Sequence, residues 1–166
     1  MLVALLMLNN SYCQTDCYFK FDTMKVLRNE NLDFFINKLQ TDSFNIGHDK
    51  HKIPLYIRKQ LTCLLGDSLI ANPNEDWQSS DVVFSEPDKV VWRQLVFFAQ
   101  SNSVFFIVYL HGGIGVSTHL VLMNFRNKKM IDFWSGWGLR DITNVKKAVE
   151  YMKHNRKKLN TNIIEL

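Results

Sequence analysis

The order of apolar and polar residues between positions 90 and 134 is typical of β-strands. Four segments rich in aliphatic and aromatic residues follow one another there, and they cover residues 90–100, 104–111, 116–125 and 130–134. Short runs containing Ser, Asn, Gly or Lys separate them. Connections this short force neighbouring strands to run antiparallel. The pattern therefore predicts a four-stranded antiparallel β-meander over about residues 91–134.

A second pattern, in which apolar residues recur three and four positions apart, predicts helices. They cover residues 31–39, 54–65 and 142–157. Asn31 is a good N-cap for the first, Pro54 suits the first position of the second, and Gly66 supplies its stop. Asp141 or Thr143 caps the third. The elements predict an α+β fold: N-terminal helices, the meander, and a C-terminal helix packed on the sheet.

The remaining segments carry weaker patterns. Their expected states are an extended lead-in at residues 17–28, a polar loop at 41–52, short strands at 68–71 and 82–84, and a loop at 134–138. A length of 166 residues suits one ordinary domain. We therefore expect a single α+β domain over residues 14–166, preceded by a segment of different character.

The period-two geometry of β-strands predicts how the last two strands pair. A two-residue turn at residues 127–128 sets Phe125 opposite Met130. One face then has the composition of a core, and it holds Val116, Thr118, Leu120, Leu122, Ile131 and Phe133. The other face is mixed, as for a surface or a pocket wall, and it holds Ser117, His119, Val121, Met123, Asp132 and Trp134.

Residues 95–99 and 104–110 are, by contrast, apolar on both faces. Strands buried on both sides have this pattern, so the sheet must be covered twice there. We expect helices on one side and a curl of the sheet or the N-terminal segment on the other. The alternative is a curved sheet whose concave side encloses an aromatic pocket for a small ligand, by analogy with other folds.

Residues 1–8 form an unbroken apolar run, MLVALLML, which polar residues follow. The run is shorter than the roughly 20 residues that span a bilayer, and it has the length of a signal-peptide hydrophobic region. We interpret residues 1–13 as a signal-peptide remnant and expect an exported protein, periplasmic or secreted. The alternative is an ordinary buried first strand in a cytoplasmic protein.

Cleavage after residue 13 would leave two cysteines, Cys17 and Cys63. Two cysteines in an exported protein can form a disulfide, and two buried free thiols are the other interpretation. The cysteine spacing matches no CxxC or zinc-ligand pattern, and His48 and His51 lie in a polar stretch beside a lysine. The sequence therefore predicts no metal and no cofactor.

The composition is that of a globular protein, and 12 Phe and 4 Trp predict a core or a surface built from large rings. Much of the net charge of +4 lies late in the chain, where the solvated end of a helix explains it better than a nucleic-acid interface. We expect no nucleic-acid partner and no transmembrane segment. A small molecule or a protein is the expected partner.

The segment from His111 to His119, HGGIGVSTH, is the most distinctive in the chain. Gly112 and Gly113 free the backbone for a tight hairpin, and glycines also permit a ligand to approach closely. A three-residue turn would put both histidines on one face, and a two- or four-residue turn would separate them. The second glycine of a nucleophile elbow is missing, so a simple hairpin is the favoured interpretation.

Two sets of residues near this end of the sheet are candidates for function. The catalytic candidates are His111, His119, Asp132 and Ser135, with Ser117 or Thr118 as further hydroxyls. The ligand-binding candidates are Trp134, Trp137, His119, Gly112 and Gly113, with Trp77 as a further ring. A His–Asp pair with a serine suits nucleophilic catalysis, and tryptophans suit stacking on a flat ligand. The structural interpretations favoured here are a solvated carboxylate and tryptophans that plug the core.

The lack of a specific catalytic signature favours a non-enzymatic role, as an exported ligand-binding or protein-interaction module. The alternatives are a small hydrolase that uses His111, His119, Asp132 and a serine, and a partner-neutralising or assembly protein with a flat surface. The hydrolase needs these groups within hydrogen-bond reach of each other. A binding module needs a concave pocket without that convergence, and an interaction protein needs an exposed apolar patch.

Overall fold

The meander predicted from residues 91–134 is present and forms the centre of the sheet. The computed structural model describes residues 22–66, 70–81 and 91–159. Its strands are β1 (Asn45–Gly47), β2 (Ile70–Ala71), β3 (Arg93–Gln100), β4 (Val104–His111), β5 (Ser117–Arg126) and β6 (Lys129–Gly138). Its helices are α1 (Thr23–Leu27), α2 (Leu32–Thr41), α3 (Leu55–Leu65) and α4 (Val145–Asn155), with a 3₁₀ turn at Lys50–Lys52. The protein is α+β, with a C-terminal helix and a mostly antiparallel sheet, as predicted.

The sheet has six strands rather than the predicted four. Its order is β1-β3-β4-β5-β6 with antiparallel neighbours, and β2 pairs in parallel with the start of β3. β1 falls within the predicted polar loop 41–52, because a strand of three residues is too short to show a period. β2 falls within the predicted strand 68–71. Both short strands add to β3 because it would otherwise be the open edge of the meander.

The helices α2 and α3 confirm the two predicted amphipathic stripes. Gly66 ends α3 with φ of 73°, a left-handed conformation that glycine adopts without strain. The cap of α4 is Asn144, whose Oδ1 accepts a hydrogen bond from the Lys147 backbone N–H at 2.9 Å. The predicted caps Asp141 and Thr143 are therefore wrong, and the helix starts one turn later than the apolar pattern indicated.

Two further predictions fail in the described residues. Residues 22–28 contain α1 instead of an extended lead-in, because the Asp22 carboxylate accepts a hydrogen bond from the Lys25 backbone N–H and starts a helical turn. Residues 134–138 continue β6 instead of forming a loop, because they pair with the first half of β5. The signal segment 1–13, residues 17–21 of the lead-in and the predicted strand 82–84 lie outside the described residues.

A β-bulge at Ile131 changes the register of β6. The pairs next to the 127–128 turn are those predicted, but Asn124 then pairs with Asp132, which leaves Ile131 as the extra residue. One inserted residue moves every later side chain of β6 to the opposite face. Asp132 therefore does not share a face with His119, and the prediction that it does is wrong.

Both faces of the sheet are covered, as the apolar pattern of the first two meander strands predicted. Helices were expected on one face only, and in the structure α3 packs on the other face as well. On one face, α2 and α4 pack on side chains that include Phe97, Phe106, Val108, Leu120, Leu122 and Trp134. On the other face, α3 packs with side chains that include Leu95, Phe105, Tyr109, Val121, Met123 and Phe133. The prediction of a mixed face on β5 is wrong, since Val121 and Met123 are fully buried. On β5, the polar side chains of that face are Ser117 and His119, at the hairpin end.

Candidate functional site

Asp132 does not converge with the other predicted catalytic residues. Asp132 lies on the face opposite His119, where its Oδ1 accepts hydrogen bonds from Asn31 Nδ2 at 2.8 Å and from the Phe133 backbone N–H at 2.9 Å. Lys25 Nζ is 3.5 Å from its other oxygen. The carboxylate is thus a joint between the N-terminal helices and β6, rather than the solvated group expected or a catalytic acid.

Asn31 is the helix-side half of that joint. Its Nδ2 also donates to the Phe133 carbonyl oxygen at 2.8 Å, and the residue is completely buried. Asn31 precedes α2, but its side chain makes no capping hydrogen bond to that helix. The N-cap predicted from its position is therefore replaced by a bond that fixes α2 against the sheet.

The two histidines of the glycine-rich hairpin lie on the same face and touch. Residue pairing sets His111 opposite Ser117 and Tyr109 opposite His119. The imidazole rings are 5.6 Å apart at 66°, and His119 stacks on Tyr109 with centroids 5.1 Å apart and planes 8° apart. Ser117 Oγ lies 2.9 Å from His119 Nε2. Of the two predicted hydroxyls, Ser117 is therefore the one that contacts an imidazole.

The electrostatics of this histidine cluster, defined as Tyr109, His111, Ser117 and His119, oppose a charged imidazole. The pKa of His119 is lowered from 6.5 to about 4. Burial is the largest cause, and the nearby His111 and Arg93 also contribute. Arg93 is buried on β3 directly across from His111, and its Nη2 donates to the Leu65 carbonyl oxygen at the end of α3. His119 is consequently neutral at pH 7 and a weak base.

Nucleophilic catalysis by serine needs a base that can become an imidazolium, with a carboxylate to stabilise that charge. His119 has the cationic Arg93 nearby instead, and Asp132 is on the other side of the sheet. A base of such low pKa accepts a proton from a hydroxyl poorly at neutral pH. The contact between Ser117 and His119 therefore has the distance of a catalytic pair without its electrostatics.

The glycines of the hairpin make room for another part of the same chain. A Cβ on Gly112 would lie 1.9 Å from the Gln78 carbonyl oxygen, and Gly113, with φ of 147°, bridges to Ser80. The close approach that the sequence indicated is thus made by residues 78–80. Gly112 and Gly113 thus have a structural role, because they let residues 78–80 pack closely against the hairpin.

The predicted tryptophans differ in accessibility. Trp134 is fully buried between the sheet and its helices, and its indole N–H donates to Asn29 Oδ1 at 2.7 Å. It plugs the core, as the structural interpretation held, and has no surface to offer a ligand. Trp137, which pairs with His119, is 51% exposed. Ser135 is 2% exposed on the same strand.

The described residues contain no group of three or more His, Cys, Asp or Glu side chains that could hold a metal ion. His48 Nδ1 instead lies 2.9 Å from the Val96 carbonyl oxygen. Cys63 is disulfide-bonded, and Cys13 and Cys17, the other cysteines of the chain, lie outside the described residues. The pairing of Cys17 with Cys63 therefore stays a prediction.

An open groove lies on the other face of the same hairpin. Its volume is about 570 Å³, and its lining includes Trp77, Gln94, Val96, Leu110, Val116 and Arg140. Trp77 is half-buried and Arg140 is exposed. Within residues 22–66, 70–81 and 91–159, no side chain forms an ion pair or hydrogen bond with the Arg140 guanidinium or the Trp77 indole. This Trp77 groove therefore has polar donors that the described residues do not use.

Sequence reasoning singled out Trp77 but not the groove. Its walls come from the loop after β2, from β3, from the hairpin and from Arg140, two residues beyond the end of β6. No spacing along the chain brings these segments together, so no sequence signal could have identified Arg140 or Gln94. The sequence showed Trp77 only as a large aromatic residue in a polar segment.

No helix among the described residues is long and apolar enough to cross a membrane. Comparison with known proteins adds no family to this picture, since no protein-family model, curated protein or solved structure matches the chain.

Proposed function

We propose that this protein is an exported, non-enzymatic binding module that holds a small ligand in the Trp77 groove. The lining supports this role. It combines an aromatic ring and aliphatic side chains with a few polar groups, which is the usual composition of a small-molecule site. Its described lining contains no carboxylate, imidazole, thiol or lysine, so the groove can bind but lacks the groups for acid–base or nucleophilic chemistry.

The wall that carries Trp77 is held rigidly, which favours binding by a preformed site. Glu75 accepts hydrogen bonds from the Asn72 backbone N–H at 2.8 Å and from Lys50 Nζ at 2.5 Å. The bond from Lys50 is the first cause of the lowered pKa of Glu75. Asn72 Oδ1 in turn accepts a bond from the Lys50 backbone N–H at 2.7 Å. This network holds the start of the loop after β2, and the close packing of Gln78 against Gly112 holds its end.

A thermal-shift screen of a defined small-molecule collection tests the proposal. Compounds that raise the melting temperature of the wild type should lose their effect in Trp77→Ala. They should keep it in Trp137→Ala, the matched loss of a half-exposed tryptophan on the other face. Shifts that survive Trp77→Ala but disappear in Trp137→Ala would instead locate binding at the histidine cluster.

Export is the second part of the proposal, and the disulfide at Cys63 supports it, because disulfides persist in oxidising compartments. The test is mass spectrometry of the protein recovered from its own cell. We expect a mature chain that starts near residue 14 and a non-reduced peptide that joins Cys17 to Cys63. A chain that still begins at Met1 and carries free thiols would support the cytoplasmic alternative.

The hydrolase alternative rests on the contact of 2.9 Å between Ser117 and His119. The electrostatics of the cluster count against it. Labelling with a fluorophosphonate probe and turnover of p-nitrophenyl acetate distinguish the two functions. The binding module predicts no labelling above that of Ser117→Ala, whereas stoichiometric labelling of Ser117 would favour the hydrolase.

The interaction alternative, a partner-neutralising or assembly protein, rests on apolar side chains exposed at the hairpin end. Ile114 is fully exposed at the tip, and Trp137 and Leu139 are half-exposed at the end of β6. Large apolar and aromatic residues at one end of a rigid sheet suit a protein contact. Retained ligand binding in an Ile114→Ser, Trp137→Ser, Leu139→Ser triple variant would show that the Trp77 groove acts independently of this surface.

A further inference from the structure

We propose that the Trp77 groove selects ligands that carry a carboxylate on a flat apolar body, with the carboxylate on Arg140 and the flat body against Trp77. This inference rests on the proposed function and names its ligand class. Both side chains line the same groove, and both have hydrogen-bond donors without a described acceptor. The free donors of Trp77 and Arg140 suit a ligand that carries hydrogen-bond acceptors.

The charge of the groove has one sign. Arg140 is the charged residue of the described lining, and the neighbouring Asp141 forms no ion pair with it. An arginine keeps its charge at every physiological pH, and its planar fork of N–H groups matches the two oxygens of a carboxylate. The remaining polar lining residues, Gln94 and Ser79, are neutral. Coulombic attraction therefore favours anions over neutral and cationic ligands.

The shape of the walls selects the rest of the ligand. Trp77 contributes an indole ring to the lining, and Val96, Leu110 and Val116 contribute branched aliphatic side chains. Gln94 Nε2 donates a hydrogen bond to the Pro73 carbonyl oxygen at 3.3 Å. The amide oxygen of Gln94 can therefore accept a hydrogen bond from a ligand. Aromatic faces bind flat apolar groups by stacking and burial. A volume of about 570 Å³ accommodates one or two fused rings with a short acidic arm.

Isothermal titration calorimetry with a matched pair of probes tests the inference. The probes are indole-3-acetate and its neutral isostere indole-3-acetamide, titrated into the intact chain at low salt. We expect the acid to bind about tenfold more tightly than the amide, the size of one charge-assisted hydrogen-bonded contact at an accessible site. The preference should shrink as salt is raised, because the guanidinium is exposed.

Variants assign that preference to residues. Arg140→Ala should reduce the affinity for the acid about tenfold and leave that for the amide unchanged. Arg126→Ala, an exposed arginine at the opposite end of β5, is the matched control and should change neither affinity. Trp77→Ala should weaken both probes. Arg140→Lys should recover part of the preference, since it restores the charge without the fork.

The outcomes separate this inference from the proposed function. Equal binding of acid and amide, both weakened by Trp77→Ala, would overturn the ligand class and leave the binding function standing. Absence of binding by either probe at millimolar concentration would also overturn the ligand class. Acid binding that neither Trp77→Ala nor Arg140→Ala weakens would lie elsewhere on the molecule and overturn both proposals. Circular dichroism of each variant confirms that it is folded.

Discussion

The histidine cluster and the Trp77 groove occupy opposite faces of one hairpin, and they differ in how their polar groups are used. In the cluster, His119 is 7% exposed, stacks on Tyr109 and contacts Ser117. In the groove, the Arg140 guanidinium is exposed and has no described partner. The histidine and serine of the cluster thus contact one another. The Trp77 groove, by contrast, has hydrogen-bond donors that no described residue occupies. Whether polar groups are free to bond a ligand distinguishes a candidate site from a packed interior better than the types of residue do.

Strand alternation is the origin of this contrast. His111 and Ser117 point to the α3 face, while their neighbours Leu110 and Val116 line the groove. The hairpin residues 109–119 therefore contribute to a largely buried cluster on one face and to an open groove on the other. Substitutions in the first should change stability, and substitutions in the second should change binding.

The largest effect is expected where the two regions share a support. Gly112→Ala places a methyl group 1.9 Å from the Gln78 carbonyl oxygen, a backbone atom that cannot move aside easily. We expect a loss of about 3 kcal/mol in the free energy of unfolding, measured by urea denaturation. Gly115→Ala is the control, because its Cβ meets nothing within 4 Å. Equal losses in the two variants would mean that residues 78–80 are not fixed against the hairpin.

The pH dependence of stability between pH 7 and pH 5 should report on His119 in the histidine cluster. The pKa of His119 is about 4 in the folded protein and 6.5 in the unfolded chain, so the unfolded state binds more protons between these values. Stability from this group is complete above pH 6.5 and decreases as the pH falls towards 4. We expect a decrease of about 2 kcal/mol between pH 7 and pH 5.

Urea denaturation at these two pH values gives the measurement, and His119→Gln should remove most of the decrease. His154→Gln, which alters an exposed histidine on α4, should retain it. A decrease of the same size in His119→Gln would contradict the buried, neutral imidazole.

Asp132 should behave as a structural residue. Asp132→Ala removes an acceptor from the buried Asn31 amide, so we expect a loss of about 1.5 kcal/mol in the free energy of unfolding. Asp141→Ala, an exposed carboxylate, should cost less than about 0.5 kcal/mol. Fluorophosphonate labelling should not differ between the two variants. A change in labelling confined to Asp132→Ala would revive its catalytic interpretation.

The smallest effect on stability is expected in the groove. Arg140→Ala should change the free energy of unfolding by less than about 0.5 kcal/mol, because the side chain is exposed and makes no described bond. Chemical denaturation of wild type and variant provides the comparison. A loss above about 1 kcal/mol would mean that Arg140 stabilises the fold, and the groove would then lack a free cation.

The elements with long periodic patterns could be predicted from the sequence, and those made by single residues could not. The four meander strands and the stripes of α2 and α3 each contain several apolar residues at a fixed period, so individual exceptions do not hide them. The bulge at Ile131 depends on one residue. Both faces of β6 contain enough apolar residues to fit either register. The apolar pattern therefore could not exclude the register without the bulge.

The candidate site could be predicted only in part, for a related reason. The glycine-rich hairpin marks a place where the backbone needs space, and this signal led to the correct region. It does not say whether a ligand or another part of the chain takes the space. The groove combines Trp77, Leu110 and Arg140 from separate segments, and long-range proximity of that kind is set by the tertiary fold.

The joint between Asn31 and Asp132 has a consequence for how separate molecules meet. β6 is the last strand of the described sheet, and a terminal strand normally offers its backbone to strands of other molecules. At Phe133, however, the carbonyl oxygen is occupied by Asn31 Nδ2 and the N–H by Asp132 Oδ1. Two polar side chains thus close the middle of this edge. The joint between Asn31 and Asp132 therefore leaves fewer backbone groups at the middle of β6 for edge-to-edge pairing between molecules.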